Sequence, residues 1–154
     1  MPSTISSSLL ISGKDALDVI KTLGFESWEI SNAAGFSGGI WVIWDSQQIN
    51  LELIDCGKPL IHLRYCSGNK EVGVITVVYA IPNDHDRKEL WQYIKNIEGR
   101  TKVPWLLTGD FNSITRPSQK IGGAPFNQAK VRDFNECIND CGLVDIGFSG
   151  PKFT

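Results

Sequence analysis

The sequence has no apolar run of the roughly 20 residues that a membrane-spanning helix needs, and its first residues, "MPSTISSSLLISG", carry no basic flank of the secretory kind. An intracellular protein is therefore expected, with no membrane partner. Positive charge is also scarce: 15 lysines and arginines face 17 acids, for a net charge of −2. A chain that binds nucleic acid by phosphate neutralisation alone is usually clearly basic. Any phosphate chemistry here must draw its positive charge from a metal ion or a local patch. Histidine is limited to His62 and His85, and Cys56, Cys66, Cys137 and Cys141 show no C-x-x-C spacing. This pattern favours buried free thiols over a zinc site, and an intracellular setting disfavours disulfides.

What is present suits one globular domain. A length of 154 residues allows a real core, and 42% hydrophobic with 21% charged residues is ordinary for a folded chain. No repeat, low-complexity tract or linker interrupts it, so residues 1–154 are expected to form a single unit. In "SGKDALDVIKTLG", Ser12 and Asp15 have capping-box spacing, Ala16, Val19, Ile20 and Leu23 recur at helical spacing, and Gly24 can close the helix in a left-handed turn.

From Trp28 to Tyr79 the period becomes two. "WEISN", "GIWVIWD", "INLELID", "PLIHLRY" and "EVGVITVVYA" have strand length and are separated by short breaks. None of the breaks can hold a crossover helix, which predicts antiparallel neighbours joined as successive hairpins. "ITVVYA", apolar on both faces, predicts a central strand covered on each side. "DHDRKELWQYIKNIEG" predicts a helix with Leu90, Ile94 and Ile97 inward, and "VPWLLTG" a buried strand. "NQAKVRDFNECINDCG" predicts a helix with Val131, Phe134, Ile138 and Cys141 on one face and Gly142 as its stop. "LVDIGFSGPKFT" predicts a further strand and loop. Many strands with helices inserted, and no regular βαβ alternation, predict an α+β layered sandwich.

The chemistry concentrates in "PWLLTGDFNSI", Pro104–Ile114. Alternation along an extended chain puts Asp110 and Asn112 on one side and Phe111 on the other, while Gly109 permits a close approach. A carboxylate there can orient a water, take its proton or touch a divalent cation, and the amide can donate to a developing oxyanion. Phosphodiester hydrolysis needs that division of labour. The alternative is an ordinary turn, because Asp and Asn favour strand ends where their side chains bond nearby backbone.

"GDFNSI", preceded by "PWLLT" and flanked by "VYAIPNDHDRKELW" and "KIGGAPFNQAKVRDFNECINDCGLVDIGFSGPKFT", resembles the endonuclease/exonuclease/phosphatase superfamily. More narrowly, it resembles the apurinic-like endonuclease domain of LINE-type (non-LTR) retrotransposons, and "GFSGGIWVIWD" fits that group. The resemblance runs from about Ser12 to Thr154. It implies a four-layered α/β/β/α sandwich of the DNase I-like kind and Mg2+- or Mn2+-dependent nicking of DNA. It also implies a nuclear location for a functional member and a C-terminal reverse transcriptase region in a full-length relative. By position, Asp110 matches the water-orienting or proton-accepting aspartate and is the candidate metal contact. Asn112 matches the asparagine that holds the phosphate and metal environment, Tyr79 a tyrosine near the scissile phosphate, and Asn83 a substrate-contacting asparagine.

The departures from the family's pattern carry equal weight. Where the family's metal-binding glutamate should stand, this chain has serine or leucine, and the family's late aspartate and terminal Asp-His pair would fall beyond Thr154. Neither His62 nor His85 matches the catalytic histidine; each is expected to be structural or solvated. The expectation is an incomplete domain, inactive or nearly so alone, with open sheet edges, limited solubility and a tendency to self-associate.

"GFSGGI" runs straight into a strand with no helix behind it, so a hairpin-like turn is expected instead of a phosphate cradle. The five tryptophans, Trp28, Trp41, Trp44, Trp91 and Trp105, are expected in the core or on sheet faces. The basic pairs Arg87/Lys88, Arg100/Lys102 and Lys130/Arg132 are expected on solvated surface, whereas Arg116 and Lys120, just past Asn112, are candidates to hold a DNA backbone. The alternatives to a retrotransposon-type endonuclease are a phosphatase or exonuclease of the same superfamily, and a non-catalytic relic or nucleic-acid-binding module.

Overall fold

The computed structural model describes residues 5–9, 14–32, 39–57, 59–80, 83–112 and 128–147. Seven strands and three helices occur among them, in a mixed α+β arrangement with two β-sheets. The first sheet has the order β1-β3-β2, with β1 (Ile5–Leu9) and β2 (Ser27–Ser31) antiparallel to the central β3 (Gly39–Trp44). The second has the order β4-β5-β6-β7, comprising β4 (Asn50–Gly57), β5 (Leu60–Ser67), β6 (Lys70–Tyr79) and β7 (Trp105–Asp110). Its first three strands are antiparallel; β7 joins β6 in parallel. A parallel pair needs a crossover, which α2 (Asp84–Glu98) supplies.

Three apolar clusters show how these elements stack. Ile20 of α1 (Lys14–Thr22) packs with Trp41 and Ile43, covering one face of the first sheet. Ile40, Val42 and Trp44, on the other face of β3, meet Leu51, Ile61, Leu63 and Val77 between the sheets. Leu60 and Val78, on the far side of the second sheet, pack with Leu90, Trp91 and Ile94 of α2 and with Phe134 and Cys137 of α3 (Gln128–Asp140). The apolar runs of β3 and β6 are explained by this stacking, since each strand is covered on both faces.

The Ser12 cap of α1 lies outside the described residues, whereas the glycine stops and the stripe of α2 match their elements. Gly24 has φ +77° after α1, and Gly142 has φ +61° after α3, the left-handed closing conformation that costs glycine little. Leu90, Ile94 and Ile97 are buried along α2 as their spacing predicts. A 2.5 Å ion pair from Lys95 Nζ to Asp140 Oδ2 ties α2 to α3.

Several expectations need correction. β3 and β4 are successive, but they belong to different sheets, and the Asp45–Ile49 turn carries the chain between them. Both edges of β3 are already paired, so β4 has no place beside it. β7 is not fully buried: it is the edge of its sheet among the described residues, and Leu106 is 45% exposed. Leu143–Gly147 forms no strand, because Asp145 Oδ1 accepts from the Gly147 N–H at 2.8 Å in a local turn that competes with extended pairing. Arg87, expected on the surface, is 5% exposed and pairs with Asp84.

All four cysteines are free; Cys66, Cys137 and Cys141 are buried as expected, but Cys56 is exposed on β4, an edge of its sheet among the described residues. The "GFSGGI" segment lies almost wholly outside the described residues, yet it joins the antiparallel neighbours β2 and β3. No helix among the described residues is long and apolar enough to cross a membrane.

Candidate functional site

The parallel register of β6 and β7 brings two of the sequence-selected residues together. Tyr79 pairs with Asp110 at the carboxyl ends of both strands, and in-register residues on adjacent strands share a face. Tyr79 packs against the cluster between the sheets, so this face opens toward the first sheet. Phe111 turns to the helical side, with its ring centroid 5.0 Å from that of Phe134.

Gly109 makes the junction possible. Its φ of +129° suits glycine, and a Cβ there would lie 2.8 Å from the Val78 nitrogen and closer still to the Val78 carbonyl oxygen. β7 can therefore press against β6 immediately before Asp110. The Ala80 N–H then donates to the Asp110 carbonyl at 2.7 Å, extending the ladder one step past the strands.

Asn112 reaches its place by a route that simple alternation does not describe. The strand ends at Asp110, and Asn112 has φ +43°, the only positive φ of a non-glycine residue among the described residues. Asp110 Oδ1 accepts from the Asn112 N–H at 2.9 Å, forming a side-chain turn. Asn112 Nδ2 donates to the Ala80 carbonyl at 2.6 Å. These bonds tie the ends of β6 and β7 into one unit and leave Asp110 and Asn112 exposed. Among the described residues no hydrogen bond takes the second carboxylate oxygen of Asp110 or the amide oxygen of Asn112.

Asn83 is exposed immediately before α2. It is the N-cap of α2, with its side-chain oxygen accepting from the His85 N–H at 2.9 Å. Arg116 and Lys120 lie outside the described residues. Sequence reasoning missed the contributions of Ala80 and Pro59, which act through backbone carbonyls and leave no side-chain signal; the Pro59 carbonyl accepts from the Tyr79 N–H at 2.9 Å.

Compared with protein-family models and with the curated proteins, the chain matches none.

The histidines lie apart from this chemistry. His62 is buried at mid-sheet, its Nδ1 2.8 Å from Thr76 Oγ1, which also accepts from Trp105 Nε1 at 2.8 Å. Desolvation lowers its pKa against the opposing pull of Asp55 and Glu71. His85 is exposed, with Asp86 and Glu89, on the first turns of α2. One histidine and two acids exposed on a helix are an ordinary solvated surface and identify no metal centre. Magnesium requires several hard oxygen ligands, and the bonds at the strand ends bring up one carboxylate, that of Asp110. β1, with the sequence ISSSL, adds no carboxylate. The described donor set does not fit a resident magnesium ion.

Proposed function

We propose that the chain is a domain of the endonuclease/exonuclease/phosphatase type, related to retrotransposon DNA endonucleases. Its phosphodiesterase end keeps its outline while its metal-binding set is depleted. The observation that carries this reading is the Tyr79–Asp110 pairing, with Asn112 anchored to Ala80 at the same strand ends. The stacking of α1, two sheets and α2 with α3 supports a four-layered α/β/β/α, DNase I-like sandwich. In this reading Asp110 accepts a proton from the attacking water and Asn112 steadies the phosphate oxygen. Turnover is slow or absent, because residues that act as a unit lose most of their effect when one is missing.

The test is a supercoiled-plasmid nicking assay with Mg2+ or Mn2+, alongside a DNA-binding titration. Salt-sensitive duplex binding, with trace nicking reduced about tenfold or more by Asp110→Ala, supports the reading. Rapid nicking abolished by Asp110→Ala refutes the depletion, and absence of DNA binding at low salt refutes DNA as the substrate.

The Asp110–Asn112 hydrogen bond favours a second reading, in which the pair is a structural turn in a non-catalytic module. Asp110→Asn keeps a turn-forming acceptor but removes the proton acceptor. Unchanged stability with unchanged residual nicking supports the turn reading; a selective loss of nicking supports catalysis.

A further inference from the structure

We infer that the outer edge of β7 pairs antiparallel with the β7 of a second copy of this chain, with Leu106 on the two-fold axis. The inference is independent of the phosphodiesterase reading, and its failure leaves that reading untouched. β7 ends the second sheet among the described residues. The Pro104 carbonyl accepts from the Val74 N–H, and the Asp110 carbonyl from the Ala80 N–H, so both face β6. Backbone groups alternate in direction along a strand, which turns those of Trp105 and Leu107 to the outer edge.

This edge lacks the charge that usually keeps strand edges apart. On β4, the opposite edge, Glu52 and Asp55 are exposed and would repel a copy of themselves. β7 reads WLLTGD, uncharged from Trp105 to Gly109, and Leu106 is 45% exposed on the face it shares with its neighbour Ile75. Lys102 and Asp110 stand four residues to either side of Leu106. Both are exposed, and neither is in an ion pair among the described residues.

These positions select both the occupant and the register. A two-fold axis at Leu106 sets that leucine against its own copy, Trp105 against Leu107 of the second copy, and Asp110 against Lys102 of the second copy at both ends. Trp105 and Leu107, whose backbone groups face outward, exchange about four hydrogen bonds across the axis. The apolar row of Ile75 and Leu106 continues into the same row of the second copy, and each end closes on opposite charges, the cross-strand pairs that stabilise a sheet. A shift by two residues sets Leu106 against Thr108 or Pro104 and loses the apolar match.

The test combines sedimentation with thiol cross-linking of the full chain. Edge pairing covers less area than a standard interface, so a monomer–dimer equilibrium half complete at roughly 0.1–1 mM is expected. Lys102→Glu, at an exposed position, places like charges together and should weaken the dimer about threefold to tenfold. In a Cys56→Ser background, which removes the exposed thiol, Leu106→Cys should form a disulfide-linked dimer in oxidised glutathione at least about tenfold faster than Thr108→Cys. In this register the two copies of residue 108 stand roughly 13 Å apart along the strands, beyond the reach of a disulfide. A monomer at every concentration, an unchanged dimer in Lys102→Glu, or cross-linking at 108 as fast as at 106 would overturn the inference.

Discussion

At Gly109 and Asn112 two unusual backbone conformations, three residues apart, hold the ends of β6 and β7 together. Gly109→Ala adds a methyl group inside contact distance of Val78 and at an unfavourable φ. It should destabilise the fold by more than about 3 kcal/mol, measured by chemical denaturation. Asn112→Ala loses the bond to Ala80 and the tolerance for φ +43°, and should cost about 1–2 kcal/mol. Asn112→Gly keeps the backbone freedom and should cost less than Asn112→Ala; an equal cost would mean that backbone conformation contributes nothing there. His62 gives a pH-dependent counterpart. Burial lowers its folded-state pKa below the ordinary value of 6.5, so the unfolded chain takes up the proton first as pH falls. Its contribution is fully present above about pH 6.5 and is lost below that value. The wild type should therefore lose more thermal stability between pH 7 and pH 5.5 than His62→Gln, and parallel losses would remove His62 as the cause.

The elements differ in how much of their stability is local. α2 has a cap in Asn83, acids in its first turn, a basic residue in its last turn, and a stripe that reads directly from leucine and isoleucine spacing. Ile94, fully buried between the second sheet and α3, is the centre of that stripe. Ile94→Ala should cost about 2–5 kcal/mol in equilibrium unfolding, and a value near zero would show that the helix-side core repacks freely. α2 was legible because its period and stop agree with its tertiary place. β7 was less so: "PWLLTG" reads as an interior strand, but hydrophobicity does not reveal whether a strand stands at an edge. Leu143–Gly147 misled for a related reason, since Val144 and Ile146 alternate as in a strand while the Asp145 side chain bonds the local backbone.

Over the whole molecule, burial is uneven. Leu53 and Ile54 on β4 and Leu106 on β7, the two edges of the second sheet among the described residues, and Val144 and Ile146 after α3 are all more than a third exposed. Exposed apolar residues beside open strand edges promote association between copies. Sedimentation should show concentration-dependent self-association that the paired charges Leu106→Lys and Ile146→Lys reduce; a monodisperse monomer at all concentrations would exclude it. The sequence by itself determined the helices, the period-two strands and the α+β class, because these depend on spacing and on residues' own conformational preferences. Only the tertiary structure decided that β3 and β4 part into separate sheets, that Tyr79 stands beside Asp110, that Asn83 serves as a helix cap and that Arg87 is buried. Those outcomes turn on which edge is already occupied and which backbone carbonyl is within reach, and both are settled by pairing between segments far apart in the chain.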